Sequence, residues 1–194
     1  MIKLLVKMGH PQIMTDLQRL SAISRLLGWV CIALMVFLPV SVLVAWLGYD
    51  TMGPSLVDRL GLSRDHAIPE HLSPQQVGLG LAVMMAPVCI MVFGLWHLRH
   101  LLSGFGAGRI FTADNTRALK IFAWSVLAVI VVQFFTDALL SLVLTLNNPP
   151  GQRVLALGFS TDQVVAFFFG AVFVLIARVL EEGRKLADEN ASIL

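Results

Sequence analysis

Long apolar runs separated by polar segments divide the chain into four parts. The runs cover residues 26–47, 77–98, 119–146 and 164–180. A helix needs about 20 mostly apolar residues to cross a bilayer. Three of the four runs have a length in the usual range for such helices, and the run 119–146 is longer. None of the runs shows the alternation of period two that a barrel strand requires. The pattern therefore predicts four transmembrane helices.

The composition supports a membrane protein. Of the 194 residues, 57% are hydrophobic and only 13% are charged, and the mean hydropathy is +0.82. Soluble domains are about 45–50% apolar and about a quarter charged. Because a soluble surface needs charged side chains to stay dispersed in water, this chain is expected to face lipid. We predict an all-α integral membrane protein in which residues 1–194 form a single membrane domain.

The basic residues are distributed unequally across the predicted membrane. Nine of the 14 lysines and arginines lie before the first helix, between the second and third helices, or after the fourth, and Lys120 and Arg178 lie in the adjoining helix ends, which makes eleven on one side. Only Arg59, Arg64 and Arg153 lie in the other two connections. The positive-inside rule therefore places both termini, the connection between helices two and three, and the tail 181–194 in the cytoplasm.

Residues 1–25 are predicted to form a cytoplasmic, amphipathic lead-in to the first helix. Ile13, Leu17 and Leu20 follow the spacing of one helical face, and Pro11 suits a first helical turn. Two arrangements fit this pattern. The segment is either a separate helix lying in the membrane interface or an extension of the first spanning helix.

The segments that end helices two and four are similar. One reads "LRHLLSGFGAGRIFTADN" and the other reads "ARVLEEGRKLADENASIL". Each contains a basic residue, leucines, a glycine and a closing Ala-Asp-(Glu)-Asn. An internal duplication would make the protein two helical hairpins related by an axis along the membrane normal, as in some transporters. Chance similarity is the alternative explanation.

The connection between helices two and three, "GFGAGRIFTADNTRALK", differs from its apolar surroundings. Its three alternating glycines allow the backbone to turn sharply. Thr112 is a good N-cap for the third helix, and Asp114 would lie in the first turn, where the helix dipole favours a negative charge. The segment lacks the Gly-Lys-Ser/Thr ending and the preceding strand of a phosphate-binding loop. Its predicted role is therefore to end one helix and begin the next.

This connection and the tail resemble a bacterial membrane-protein family, the domain of unknown function numbered 2975. In the connection, "GRIFTADNTRALKIFAW" matches the family signature at Gly108, Ile110, Phe111, Thr112 and Asn115. In the tail, "EGRKLADENASIL" matches at Gly183, Leu186, Glu189, Asn190 and Ile193. The resemblance agrees with the four-helix layout and implies a multi-pass protein of the bacterial inner membrane.

The resemblance also implies a function. Such proteins are often encoded beside a very small helix-turn-helix regulator, which suggests a regulatory or sensory membrane protein that holds or releases this partner. The docking surface would combine the connection with the tail, whose mixed charge suits a basic protein. The candidate docking residues are Gly108, Arg109, Phe111, Thr112, Asn115, Glu182, Glu189 and Asn190.

Asp137 is the only acidic residue inside a predicted span. An ionisable side chain in a membrane is costly unless it is paired or hydrated, so it is a candidate functional residue. Gln133, Thr136 and Ser141 lie on or near the same face by helical spacing. These residues form either an interhelical hydrogen-bond cluster or a site for an ion, a proton or a ligand. The second reading supports a rival function, a small homo-oligomeric transporter or channel.

The remaining polar residues do not form a recognisable catalytic or metal site. His97 and His100 are interpreted as interfacial anchors. The outer-connection segment "RDHAIPEH" contains zinc-ligand types, but Pro69 breaks the helix that would align them. Cys31 and Cys89 are predicted at different depths, so we expect no disulfide. We expect no catalytic residue, no cofactor, no metal and no direct nucleic-acid contact.

Prolines and glycines inside the spans predict local features of helix packing. Pro39 and Pro87 lie in the middle of helices one and two, where each favours a kink. Small residues allow the backbones of two helices to approach closely. The predicted positions of close contact are Gly78, Gly80, Gly94 and Gly170.

Overall fold

The computed structural model describes residues 11–49, 72–107, 112–149, 155 and 161–192. Within these ranges the protein is all-α and contains no strand. The helices are α1 (Pro11–Leu47), α2 (Pro74–Gly106), α3 (Ala113–Leu144) and α4 (Thr161–Ser192). The predicted fold class is confirmed.

Each helix contains a segment that is long and apolar enough to cross a membrane. These segments are Ser21–Leu47, Pro74–Gly106, Ala113–Leu144 and Thr161–Leu186. They include nearly all of the four runs predicted from the sequence. The structure and the sequence therefore agree on a multi-pass membrane protein.

Helix α1 is one continuous helix of 37 residues that begins at Pro11. Pro11 occupies the first position, where its missing N–H group costs nothing. Residues 11–25 therefore continue directly into the first spanning helix, as in the second of the two arrangements that the sequence left open. The helix also continues through Pro39, as α2 does through Pro87.

Side-chain caps fix the starts of α2 and α3. At α2, the hydroxyl of Ser73 accepts a hydrogen bond from the Gln76 amide, and the Gln76 side chain accepts one from the Ser73 amide. At α3, the Thr112 hydroxyl accepts from the Asn115 amide at 3.3 Å, as predicted. These bonds satisfy amide groups that have no partner within the helix. Helix α3 ends at Leu144, two residues before the predicted end.

Consecutive helices pack side by side in the order α1, α2, α3, α4. Helices α2 and α3 are antiparallel, because Gln76 contacts the carboxyl end of α3 while Gly104 contacts Asn115 near its start. The start of α3 and the end of α4 lie at the same end of the bundle. We call this the basic end, because it holds Arg117, Lys120 and the other cationic side chains of the described helices. The other end is called the opposite end.

Three of the four glycines predicted to allow close helix contacts do so. A Cβ atom on Gly94 would lie 2.8 Å from Ser125 Cβ, and one on Gly170 would lie 2.6 Å from Leu127 Cδ2. A Cβ on Gly80 would collide with the Trp46 ring. The prediction is wrong for Gly78, which has open space where its Cβ would be. Helical spacing carries Gly78 away from the neighbouring helices.

Three exposed tryptophans mark one level of the bundle. Trp29, Trp96 and Trp124 are 70%, 61% and 51% exposed. The contact between Gly94 and Ser125 places Trp96 and Trp124 at nearly the same height, and the packing of α1 on α2 brings Trp29 to that height as well. Tryptophan is enriched at membrane–water interfaces. A membrane boundary at this level, near the basic end, suits these three side chains.

Candidate functional site

Asp137 connects α3 to α4. Its Oδ1 atom accepts a hydrogen bond from Gln133 Nε2 on the same helix at 2.8 Å. Its Oδ2 atom accepts one from Gln163 Nε2, in the first turn of α4, also at 2.8 Å. Both carboxylate oxygens therefore have an amide donor, and one of these donors belongs to another helix.

The sequence did not identify Gln163 as part of this site. Gln163 lies one residue before the predicted span 164–180, in a polar turn that gives no sign of its partner. The spacing of polar residues along the two helices could have indicated this contact. Gln163 and Glu181 are 18 residues apart on α4, and Asp137 and Lys120 are 17 apart on α3, so the two polar pairs match in an antiparallel arrangement.

Thr136 and Ser141 differ from Asp137 in burial. Thr136 is 3% exposed and Ser141 is also buried, whereas Asp137 is exposed. The Ser141 hydroxyl donates to the Ala138 carbonyl within the helix at 2.7 Å. Among these four polar residues, the structure joins Gln133 to Asp137 by a hydrogen bond, while Thr136 and Ser141 are buried.

Gln76 forms the most extensive polar contacts among the described residues of the opposite end. Its side chain is 1% exposed. Its Nε2 atom donates to the carbonyls of Val143 and Leu144 at 3.1 Å each, and its Oε1 atom accepts from Asn147 Nδ2 at 2.8 Å. The last carbonyls of a helix lack partners within the helix. Gln76 supplies that partner and so joins the start of α2 to the end of α3.

Apolar side chains surround this polar joint. The buried cluster consists of Trp46, Tyr49, Leu72, Leu140 and Leu144. The indole N–H of Trp46 donates to the Met84 sulfur at 3.1 Å. Helices α1, α2 and α3 are therefore held together at the opposite end by both polar and apolar contacts, and helix α4 takes no part in this cluster.

At the basic end, Asn115 packs the start of α3 against the end of α2, on either side of the glycine-rich segment that connects these two helices. Its side chain is 5% exposed and lies directly against Gly104, near the end of α2. Only a glycine leaves enough room for this amide, because any Cβ at position 104 would overlap it. The connection therefore starts and ends at a tightly packed junction.

Helix α4 is joined to α3 at the basic end by an ion pair. Lys120 Nζ lies 3.1 Å from Glu181 Oε2. Beneath this pair, a buried cluster brings Ala177 of α4 against Leu101, Ala118 and Leu119. After Glu181 the helix continues to Ser192, and Glu182 is exposed beside Lys185 at 3.2 Å.

The comparison with known families agrees with this arrangement. The family described as "Protein of unknown function (DUF2975)" matches residues 12–193. The chain belongs to this family. The match includes all four helices of the DUF2975 chain and confirms the resemblance seen in its sequence. Neither the curated proteins nor the solved structures contain a match to it.

The described residues of both sequence signatures of this DUF2975 protein lie at the basic end. Thr112 and Asn115 begin α3, and Glu182 follows the ion pair on α4. Asn115 is buried, so its side chain packs the junction and offers little surface to a partner. Gly108, Arg109 and Phe111 lie outside the described residues. Glu189 and Asn190 lie within α4, but the positions of their side chains are not described.

The histidines and cysteines of the DUF2975 chain do not form a metal site within the described residues. The rings of His97 and Phe93 are in tilted contact with a centroid distance of 4.5 Å, and the His97 Nδ1 atom lies 2.9 Å from the Phe93 carbonyl oxygen. Cys31 is buried, Cys89 is exposed and both are free. The candidate segment "RDHAIPEH" lies outside the described ranges.

Proposed function

We propose that this DUF2975 protein is a regulatory membrane protein that binds a small cytoplasmic helix-turn-helix regulator at its basic end. The observation that supports this most directly is the meeting of the two family signatures there. They are far apart in the sequence, yet the Gly104–Asn115 junction and the Lys120–Glu181 ion pair hold the helices that carry them at one end of the bundle.

The chemistry of this end suits a protein partner. Glu182 and Leu186 are exposed on the part of α4 that follows the ion pair, and Lys185 lies between them. An exposed surface with an apolar side chain and charges of both signs can bind a folded protein through apolar contact and select it through charge. The excess of basic residues at this end supports a cytoplasmic location. The family resemblance supplies the helix-turn-helix partner.

The rival function is a transporter or channel in a bacterial inner membrane. It requires Asp137 to line a continuous aqueous path. Both oxygens of this carboxylate accept hydrogen bonds from amides, one of them on α4, which is the geometry of a tie between helices. The contacts of Asp137 therefore favour the regulatory function over transport.

Photocrosslinking tests the proposal. The full-length protein would carry a benzophenone amino acid at Leu186, on the proposed surface. The control would carry it at Leu79, another exposed leucine, which lies near the opposite end. Each variant would be expressed in membranes together with the small helix-turn-helix regulator that the family resemblance implies, taken from the genes next to its own. We expect a crosslink to the regulator from position 186 and none from position 79. Crosslinks from both positions, or from neither, would overturn the proposal.

A truncation provides a second test. Ending the chain after Leu186 removes Glu189 and Asn190 but keeps Glu181, so the ion pair with Lys120 is preserved. We expect normal insertion into the membrane and loss of regulator binding in a co-purification experiment. If the truncated protein binds the regulator as well as the full chain does, residues 187–194 are not part of the docking surface and the assignment of Glu189 and Asn190 to it is wrong.

A further inference from the structure

An open groove of about 560 Å³ lies between α2 and α3 near the basic end. Its α3 wall is formed by Arg117, Lys120, Ile121, Trp124 and Ala128, and Ser125 also contributes. Phe93 forms the wall on α2. The groove is lined by residues distinct from Asp137 and from the proposed docking surface on α4.

The polarity of the groove changes along the helix axis. Arg117 and Lys120 lie near the start of α3, and the apolar residues follow them up to Ala128. From Arg117 to Ala128 the helix rises about 16 Å. The groove is therefore cationic at one end and apolar over the rest of its length. A phospholipid matches this arrangement along its length, because it has a charged phosphate at one end and apolar acyl chains beyond it.

The cationic end lies where a lipid phosphate would be. Trp124 is one of the three tryptophans that suit a membrane boundary at their level, and Arg117 and Lys120 lie one to two turns closer to the basic end. A tryptophan at the interface has its ring at the level of the lipid headgroups. The two cations therefore border the headgroup layer of the leaflet at the basic end.

The charges at this end favour an anionic lipid. Lys120 is paired with Glu181, but its side chain remains 46% exposed and an ammonium group has three donors. Arg117 is exposed, and its guanidinium can bind a phosphate through two parallel hydrogen bonds. Among the residues that line the groove, Arg117 carries the positive charge that remains after Lys120 is paired with Glu181. A lipid with a net negative headgroup balances it, whereas a zwitterionic lipid does not.

We propose that this groove binds one anionic phospholipid, with its phosphate on Arg117 and Lys120 and an acyl chain against Trp124. The open side of the groove faces the bilayer, so the lipid enters without passing through the protein. A free phosphate ion would use the cations but not the apolar wall. The proposal is independent of the regulator and of its docking surface.

Native mass spectrometry of the full-length protein in detergent tests this site. Phosphatidylglycerol and phosphatidylcholine with the same acyl chains would be titrated onto the delipidated protein. We expect one phosphatidylglycerol to bind more tightly than phosphatidylcholine. The variant Arg117→Gln should weaken phosphatidylglycerol by about five-fold, since one basic residue near an anionic lipid surface has about that effect. Arg178→Gln makes the same charge change on α4, outside the groove, and should leave binding within two-fold.

Two further measurements test whether the site binds a lipid or a soluble anion, and whether the apolar wall contributes to binding in addition to the cations. Inorganic phosphate or glycerol phosphate at the lipid concentration should not displace phosphatidylglycerol. Ala128→Trp, which fills the apolar wall and keeps both cations, should weaken phosphatidylglycerol. Equal effects of Arg117→Gln and Arg178→Gln, displacement by soluble phosphate, or full affinity in Ala128→Trp would each overturn the proposal.

Discussion

Replacing Gln76 by leucine should loosen the joint between α2 and α3 at the opposite end. Leucine has nearly the same size as glutamine but no hydrogen-bonding atoms. The change therefore removes the two bonds to the Val143 and Leu144 carbonyls and the bond from Asn147, together with the contacts to the Ser73 cap. The site is 1% exposed, so water cannot easily replace what is lost.

The cost can be estimated from these contacts. The Val143 carbonyl keeps a second donor, the Leu146 amide at 3.3 Å, so the Leu144 carbonyl is the group most affected. A buried acceptor left without a partner costs about 1–3 kcal/mol. Each further bond lost within a membrane protein costs about 0.6 kcal/mol on average. Because the apolar leucine recovers part of this by burial, we expect a net loss of about 2 kcal/mol in the free energy of unfolding.

Unfolding in mixed micelles of a mild detergent and dodecyl sulfate, followed by circular dichroism, measures this loss. The matched control is Gln75→Leu, which makes the same chemical change at the exposed neighbouring position. We expect Gln76→Leu to unfold at a lower dodecyl sulfate fraction than the wild type, and Gln75→Leu to behave like the wild type. If the two variants are equally stable, the hydrogen bonds of Gln76 contribute nothing and the reasoning is wrong.

Two more predictions concern the other joints. Asp137→Leu has nearly the same size and removes both acceptor oxygens, so the bonds from Gln133 and Gln163 are lost, and we expect the free energy of unfolding to fall by about 1 kcal/mol; unchanged stability would contradict the tie between α3 and α4. Gly104→Ala places a methyl group against the buried Asn115 amide and should destabilise the protein by about 1–3 kcal/mol. Gly183→Ala, at a helical glycine with open space, should be neutral or slightly stabilising in the same unfolding assay.

The spans could be predicted because they depend on local composition alone. A run of about 20 apolar residues must form a helix in lipid, whatever its neighbours are. The start of α3 was also predictable, because a threonine cap bonds to an amide three residues away in the same segment. The capping pattern of Ser73 and Gln76 was not predicted, although a serine followed three residues later by a glutamine before an apolar run is the sequence pattern of such a cap.

The partners across helices could not be predicted, because they depend on how the helices are aligned. Nothing near Gln76 in the sequence indicates that its amide reaches the end of α3, 67 residues away. The same is true of Gln163 and Asp137. The inward direction of Asn115 also depends on the alignment of α2 with α3, since it is the position of Gly104 that makes room for it.

The joints are unequally distributed among the helices, and this bears on regulation. Helices α1, α2 and α3 share the cluster around Trp46 and the Gln76 contacts at the opposite end. Helix α4 packs mainly on α3, through small residues such as Gly170 and through one polar tie near each end. Elements held by fewer buried contacts open at lower free energy. A regulator that bound both the glycine connection and the tail would bridge α4 to the more firmly held helices. The position of α4 would then be coupled to regulator binding, because a ligand that prefers one arrangement shifts the population toward it.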